Sequence, residues 1–258
     1  MQNPLQFSTA PFFRRPLREA FGHIADAGFT SVEVMVTNDP ATQEPQALAE
    51  TAAEFGLSVD TIHAPFLVFT RRVFGTEPIE KVKRTARLAR EVGAGLVVVH
   101  PPYRWQYPYR RWVEQGIAEL IAETGVRIAV ENMFPIRIGG AGLRMHDGQL
   151  LPADSPLVLD TSHAAVEGLG PSEAYNRLGE QVMHIHLSNN AGKGWDSHLP
   201  LDQGVLPIGD FLGDLELSGY EGTMSLELDL RPFAGDRAIR EVLVRNREFC
   251  ERRALLPA

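Results

Sequence analysis

One joint recurs along this chain and limits what it can fold into. A helix-compatible stretch closes on a glycine, and a short β-branched run follows at once. The joints read Ala27-Gly28-Phe29, Phe55-Gly56-Leu57, Val92-Gly93-Ala94, Thr124-Gly125-Val126 and Ser218-Gly219-Tyr220. Glycine just past a helix end takes the left-handed conformation without a Cβ penalty, so each joint marks a helix stop. The runs after the joints are Ser31–Val36, Ser58–His63, Leu96–His100, Val126–Glu131 and Thr223–Leu228. With Leu5–Thr9, Pro156–Asp160 and Val182–Leu187 they make eight expected strands. Amphipathic helices are expected over Leu17–Ala27, Gln46–Phe55, Ile79–Val92, Arg111–Thr124 and Ala238–Arg252. Leu96-Val97-Val98-Val99 is apolar on both faces, which suits a buried parallel strand.

Strand alternating with helix through 258 residues predicts an α/β chain, a single (β/α)8 TIM barrel spanning 1–258. A doubly wound sheet would carry a glycine-rich phosphate loop after its first strand, and Ser8-Thr9-Ala10-Pro11-Phe12-Phe13 is not one. The fifth unit is expected to be irregular, because Gly139-Gly140-Ala141-Gly142 and the run to Pro152 leave little room for a helix. The single cysteine, Cys250, excludes a disulfide framework and a cysteine zinc site. Met1 to Phe13 lacks a basic-then-apolar leader, and no run of about eighteen apolar residues exists, which predicts a cytoplasmic protein rather than a secreted or membrane-spanning one. The net charge of −8 speaks against nonspecific nucleic-acid binding.

The expected strands end in Glu33, His63, His100, Glu131, Asp160, His186 and Glu227. In a parallel barrel all such ends lie on one face, where active sites sit. Carboxylates crowded against imidazoles need a counter-charge, and a divalent metal supplies it economically. Asp160-Thr161-Ser162-His163 adds an imidazole beyond the sixth strand, and Asp196-Ser197-His198 adds an alternating pair after the seventh. Oxygen and imidazole donors suit zinc, manganese or iron. His184 shares the face of His186 one layer deeper and is expected in the core or behind the ligands. His23 and His146 carry no spacing signal and are expected on the surface.

His63-Ala64-Pro65-Phe66, Val99-His100-Pro101, Val130-Glu131-Asn132, Leu159-Asp160-Thr161-Ser162-His163-Ala164, His184-Ile185-His186-Leu187-Ser188 and Asp196-Ser197-His198 stand in this order. In that order the sequence resembles the xylose isomerase-like TIM barrel superfamily, which includes endonuclease IV and many sugar isomerases and epimerases. The resemblance to endonuclease IV implies three metals. His63 and His100 would bind the first, with Glu131 bridging to a second completed by Asp160, His186 and Glu227. His163, Asp196 and His198 would hold the third. In the simpler sugar epimerases Glu131, Asp160, His186 and Glu227 would hold one manganese-like ion. The chain departs from the ketohexose 3-epimerases at Arg137, where they keep a second glutamate, and at Gly192, where they keep an arginine.

The expected chemistry is therefore that of a metal-dependent isomerase or epimerase acting on a small carbohydrate or sugar phosphate. One to three divalent ions, Mn or Zn, would serve it, with no organic cofactor. Glu131 and Glu227 would move the proton. Glu33 and His163 would bind substrate hydroxyls, and Phe66 or Trp105 would cover the sugar ring. A nuclease or a dehydratase/lyase on the same site is the alternative. Nucleic acid is the weaker partner, since one barrel consumes nearly the whole chain and leaves little for DNA-spanning loops. No membrane partner is expected; barrels of this type often pair, which leaves a homodimer open.

Overall fold

Strands apolar on both faces need an apolar layer on each side, and the computed structural model meets that need with a closed barrel. It describes residues 5–66, 70–138, 141–143, 145–146 and 155–254. The strands are β1 (Leu5–Ser8), β2 (Ser31–Met35), β3 (Ser58–His63), β4 (Leu96–Val99), β5 (Arg127–Glu131), β6 (Ile136–Ile138), β7 (Ala141–Leu143), β8 (Leu157–Asp160), β9 (Val182–Leu187) and β10 (Thr223–Leu226). All but β6 and β7 are parallel neighbours in one barrel, ordered β1-β10-β9-β8-β5-β4-β3-β2. The helices are α1 (Leu17–Asp26), α2 (Pro45–Phe55), α3 (Pro78–Val92), α4 (Tyr107–Thr124), α5 (Thr161–Val166), α6 (Pro171–Leu178), α7 (Ile208–Leu217) and α8 (Asp236–Ala254). Among the described residues no helix is long and apolar enough to cross a membrane.

Each of the eight expected strands is present. The fifth unit is irregular, as expected: between β5 and β8 the described residues hold the antiparallel pair β6 and β7. Prolines open α2, α3 and α6, where the missing N–H has no helical partner to lose. Gly93 closes α3 at φ 83°, the left-handed value that its joint predicts. Two helices, α5 and α6, were not anticipated, and α7 was marked only by its stop at Ser218-Gly219-Tyr220. α5 has only six residues, too few to show a period, and starts directly on Asp160, whose Oδ1 accepts the His163 N–H at 2.8 Å. α6 is only eight residues long, and Gly209 and Gly213 dilute the pattern of α7.

Residues two apart along a strand share a face. Val97, Val99, Ile128 and Val130 belong to the main core, while Leu96, Val98, Ala129 and Val158 form a separate cluster. That second set plugs one side of the barrel interior. Above the plug the register aligns Met35 with His63 and Asp160 with His186. It also aligns Glu33 with Thr61, so Glu33 lies two residues deeper than His63.

Candidate metal centre

Six barrel strands deliver donors to one end. His63, Glu131 and Asp160 are the last residues of β3, β5 and β8; His186 is the penultimate residue of β9. His100 and Glu227 come just after β4 and β10. All six except His100 and Glu227 are buried, and those two are nearly so. Among the described residues donor atoms gather within 4.8 Å in four groups: Glu33–His184–His186 lies deepest, and the three at the cavity are His63–His100–Glu131, Glu131–Asp160–His186 and Asp160–His163–His198. Glu131 and Asp160 each belong to two groups, so the three form one continuous array. Asp196 joins it with Oδ2 2.8 Å from His198 Nε2 and 3.5 Å from His163 Nε2. Glu227 Oε2 lies 3.5 Å from His186 Nδ1. The nine residues expected as metal ligands are thus brought together.

The ring orientations suit a cation. A carbonyl can only accept, so three histidines donate from Nδ1: His63 to Ala64 O at 3.0 Å, His163 to Asn132 O at 2.8 Å, and His198 to Glu227 O at 3.0 Å. Each then turns Nε2 towards the carboxylates, the arrangement that outer hydrogen bonds give metal-binding histidines. Glu131 Oε2, Asp160 Oδ2 and Glu227 Oε2 are buried without a hydrogen-bond partner among the described residues. His100 Nε2 is 3.0 Å from Glu131 Oε2 but off the line of a hydrogen bond. Three orphaned anionic oxygens amid nitrogen donors fit a divalent cation, and the donor set therefore can hold one.

Without a cation, protons do the neutralising. Burial resists charging His163, yet the neighbouring Asp160, the Asp196 hydrogen bond and Glu131 raise it to about 10. His186 and His198 are also raised well above the usual imidazole value, burial again being outweighed, by Glu33 and Glu131 in one case and by Asp196 and Asp160 in the other. Burial resists charging Glu131, but the His186 charge, the His186 Nδ1 hydrogen bond and the close His100 and His63 rings hold it well below the carboxylate range. Burial pushes Glu227 the opposite way, upward, against His186 and His198.

Three expected substrate contacts, Glu33, Phe66 and Trp105, lie outside the described lining of the cavity above the array. Glu33 is wholly buried beneath the array, its Oε2 accepting from His184 Nε2 at 2.8 Å and His186 Nε2 at 3.1 Å. Its depth in the register sets it below His63 and the other cavity-lining donors. Phe66 stacks on His100 and Tyr109, with ring centroids at 5.6 and 6.1 Å, and packs against the core. Trp105 is 56% exposed and stacks on Tyr103 at 4.9 Å, away from the described lining of the cavity above the array. His163 does line that cavity, which measures about 390 Å³. His184 lies behind His186 as expected. His23 and His146 are not surface groups: His23 is buried against Phe12, and His146 donates to Pro101 O at 2.8 Å and meets His100 edge-on.

A family model described as the xylose isomerase-like TIM barrel matches residues 21–243. The chain belongs to that family. An uncharacterised protein of Mycobacterium tuberculosis is 34% identical over 243 residues, 86% of this chain and 87% of that one. Fructoselysine 3-epimerase of Escherichia coli O157:H7 is 21% identical over 239 residues, 83% and 86% of the two chains. The solved structure of a D-tagatose 3-epimerase-like protein matches with a TM-score of 0.72 at 20% identity, over 97% and 98% of the chains. At that identity it shows the shared fold.

Within this xylose isomerase-like barrel, motif reading passed over part of the cavity wall. Phe13, Met35, Met133, Phe134, Asp229 and Arg231 line it beside the donors. Met133 and Asp229 each stand two residues past a donor glutamate. That offset is visible in the sequence, but an isolated residue in a loop carries no period to mark it.

Proposed function

We propose that this protein is a divalent-metal-dependent isomerase or epimerase of a small carbohydrate or sugar phosphate. The observation that carries the reading is the placement of two glutamates from separate strands at one cavity. Glu131 Oε1 and Glu227 Oε2 approach the same His186 Nδ1, at 3.0 and 3.5 Å, and both residues line the cavity. The relatedness to a 3-epimerase over most of the chain supports it.

A divalent ion held by Glu131, Asp160, His186 and Glu227 would supply Lewis-acid polarisation of a substrate carbonyl. One glutamate takes the α proton on its carboxylate oxygen, and the other returns a proton to the substrate. His163, tied through Nδ1 to Asn132 O, presents Nε2 to a substrate hydroxyl. The apolar wall, with Phe134 among it, limits water at the reacting carbon.

Metal-loaded protein is expected to exchange solvent deuterium into a carbon-bound position of a ketose substrate, followed by mass spectrometry. Glu131→Gln and Glu227→Gln should each slow the exchange at least about a hundredfold, the usual range for a lost acid–base group. Exchange that persists in both variants would sink the assignment.

The continuous array of three donor groups favours a second reading, a phosphodiesterase with clustered metals like that implied by the endonuclease IV resemblance. Three zinc ions per chain together with incision of an abasic-site duplex, abolished in Glu131→Gln, would establish it instead.

A further inference from the structure

The rest of the cavity wall has a character of its own. Apart from the donors, its described lining includes Phe13, Met35, Phe134, Leu228 and Leu230. Arg231, 85% exposed, is the one lysine or arginine on that described lining. Its guanidinium is mounted rather than loose. Nε and Nη2 donate to the two Asp229 oxygens at 2.7 and 2.8 Å, and the Arg231 N–H donates to Asp229 Oδ1 at 3.0 Å. The Asp229 N–H in turn donates to His198 O at 2.7 Å, which ties the turn to the donor array. Asp229 uses two of the five guanidinium N–H bonds and leaves the Nη1 edge. A planar fork held along one edge is preorganised to take an oxyanion on the other. The loop after the last barrel strand is also where parallel barrels often seat phosphate groups.

Resting on the isomerase reading of the same site, we propose that Arg231 selects an anionic substrate. This is a short hydroxycarbonyl compound with adjacent oxygens at the donor array and a carboxylate or phosphate end on Arg231. The apolar side chains of the same lining accept the carbon chain. They offer no hydrogen bonds to a long polyol, whose buried hydroxyls would lose their water there. Asp229 offsets part of the arginine charge, so the selectivity is moderate.

The test is calorimetric binding to the manganese- or zinc-loaded full chain, with three probes that share a three-carbon skeleton: dihydroxyacetone, dihydroxyacetone phosphate and hydroxypyruvate. At least one anion should bind about tenfold or more tighter than the neutral triose, the scale of one charge-assisted paired contact. Which anion gains tells a phosphate end from a carboxylate end. In Arg231→Ala the anion-to-neutral ratio should fall towards one, and Arg231→Lys should keep part of it. A ratio that survives Arg231→Ala, equal binding of all three probes, or binding of none overturns the proposal. Because the readout is affinity, anion selectivity with no deuterium exchange would fail the isomerase reading alone. Exchange confined to neutral sugars would fail the arginine proposal alone.

Discussion

At the scale of single residues, the instructive side chain is Glu33. Its place in Val32-Glu33-Val34 looks the same in sequence as that of the donor acids, yet it serves them from below. One carboxylate oxygen accepts from both His184 and His186, and the Thr223 hydroxyl is 2.6 Å from the other nitrogen of His184. His186 therefore faces the array through Nδ1 because Nε2 is already engaged. Glu33→Gln keeps the shape but removes the anion that both imidazoles share. It is expected to weaken zinc or manganese binding about 10- to 100-fold, the range for outer-shell partners of metal ligands. Competition with a chelating dye would measure this, with circular dichroism confirming the fold. Unchanged affinity would reduce Glu33 to a packing role. The spacing of His184 and His186 was readable as two depths on one face; the matching depth of Glu33 was not, because it depends on how β2 registers with β3.

At the scale of elements, the helices act as mounts for loops at the donor end. α3 shows this through Lys81, a buried ammonium with no carboxylate partner among the described residues. Its Nζ donates to Pro65 O at 3.0 Å, Thr70 O at 2.9 Å and Val73 O at 2.7 Å, using all three protons on the loop that follows His63. Lys81→Met would leave three carbonyls short of a donor and should cost about 2 kcal/mol of stability in urea denaturation. Faster amide hydrogen exchange over residues 70–77 should accompany the loss; native-like protection there would show that the loop stands without the clamp. Nothing in the local pattern Glu80-Lys81-Val82 separates this lysine from a solvated one, since its acceptors come from residues 65 to 73 only after the loop has folded back. Strand and glycine-joint signals, by contrast, are local, so the barrel strands and their helix stops were legible.

At the scale of the molecule, the charge of −8 takes on a different meaning. Each divalent ion that the array could hold would remove two of those charges, so part of the acidity belongs to the site rather than to the surface. The site also links metal, protons and stability. A histidine whose folded value is raised stabilises the fold fully below its unfolded value near 6.5, and that contribution is lost as the pH climbs through the folded value. For His163 that window runs from about 6.5 to about 10. Chelator-treated protein is therefore expected to lose thermal stability from pH 7 to 10, less steeply in His163→Gln. A slope identical in the two proteins would refute the coupling. At pH 7 zinc must displace these protons, so binding should release about one proton or more per chain. Calorimetry in buffers of different ionisation enthalpy would count them.

The sequence by itself determined the eight-strand barrel, the irregular fifth unit and the carboxylate and imidazole residues gathered at the strand ends. These rest on local signals: β-branched runs, glycine stops and donors at strand ends. Tertiary structure alone decided that Glu131 and Asp160 are shared between donor groups, that Glu33 lies under the array, and that Arg231 rather than Trp105 borders the cavity. Those facts depend on strand register and loop return, which bring together residues far apart in the chain, and no local pattern encodes such distances.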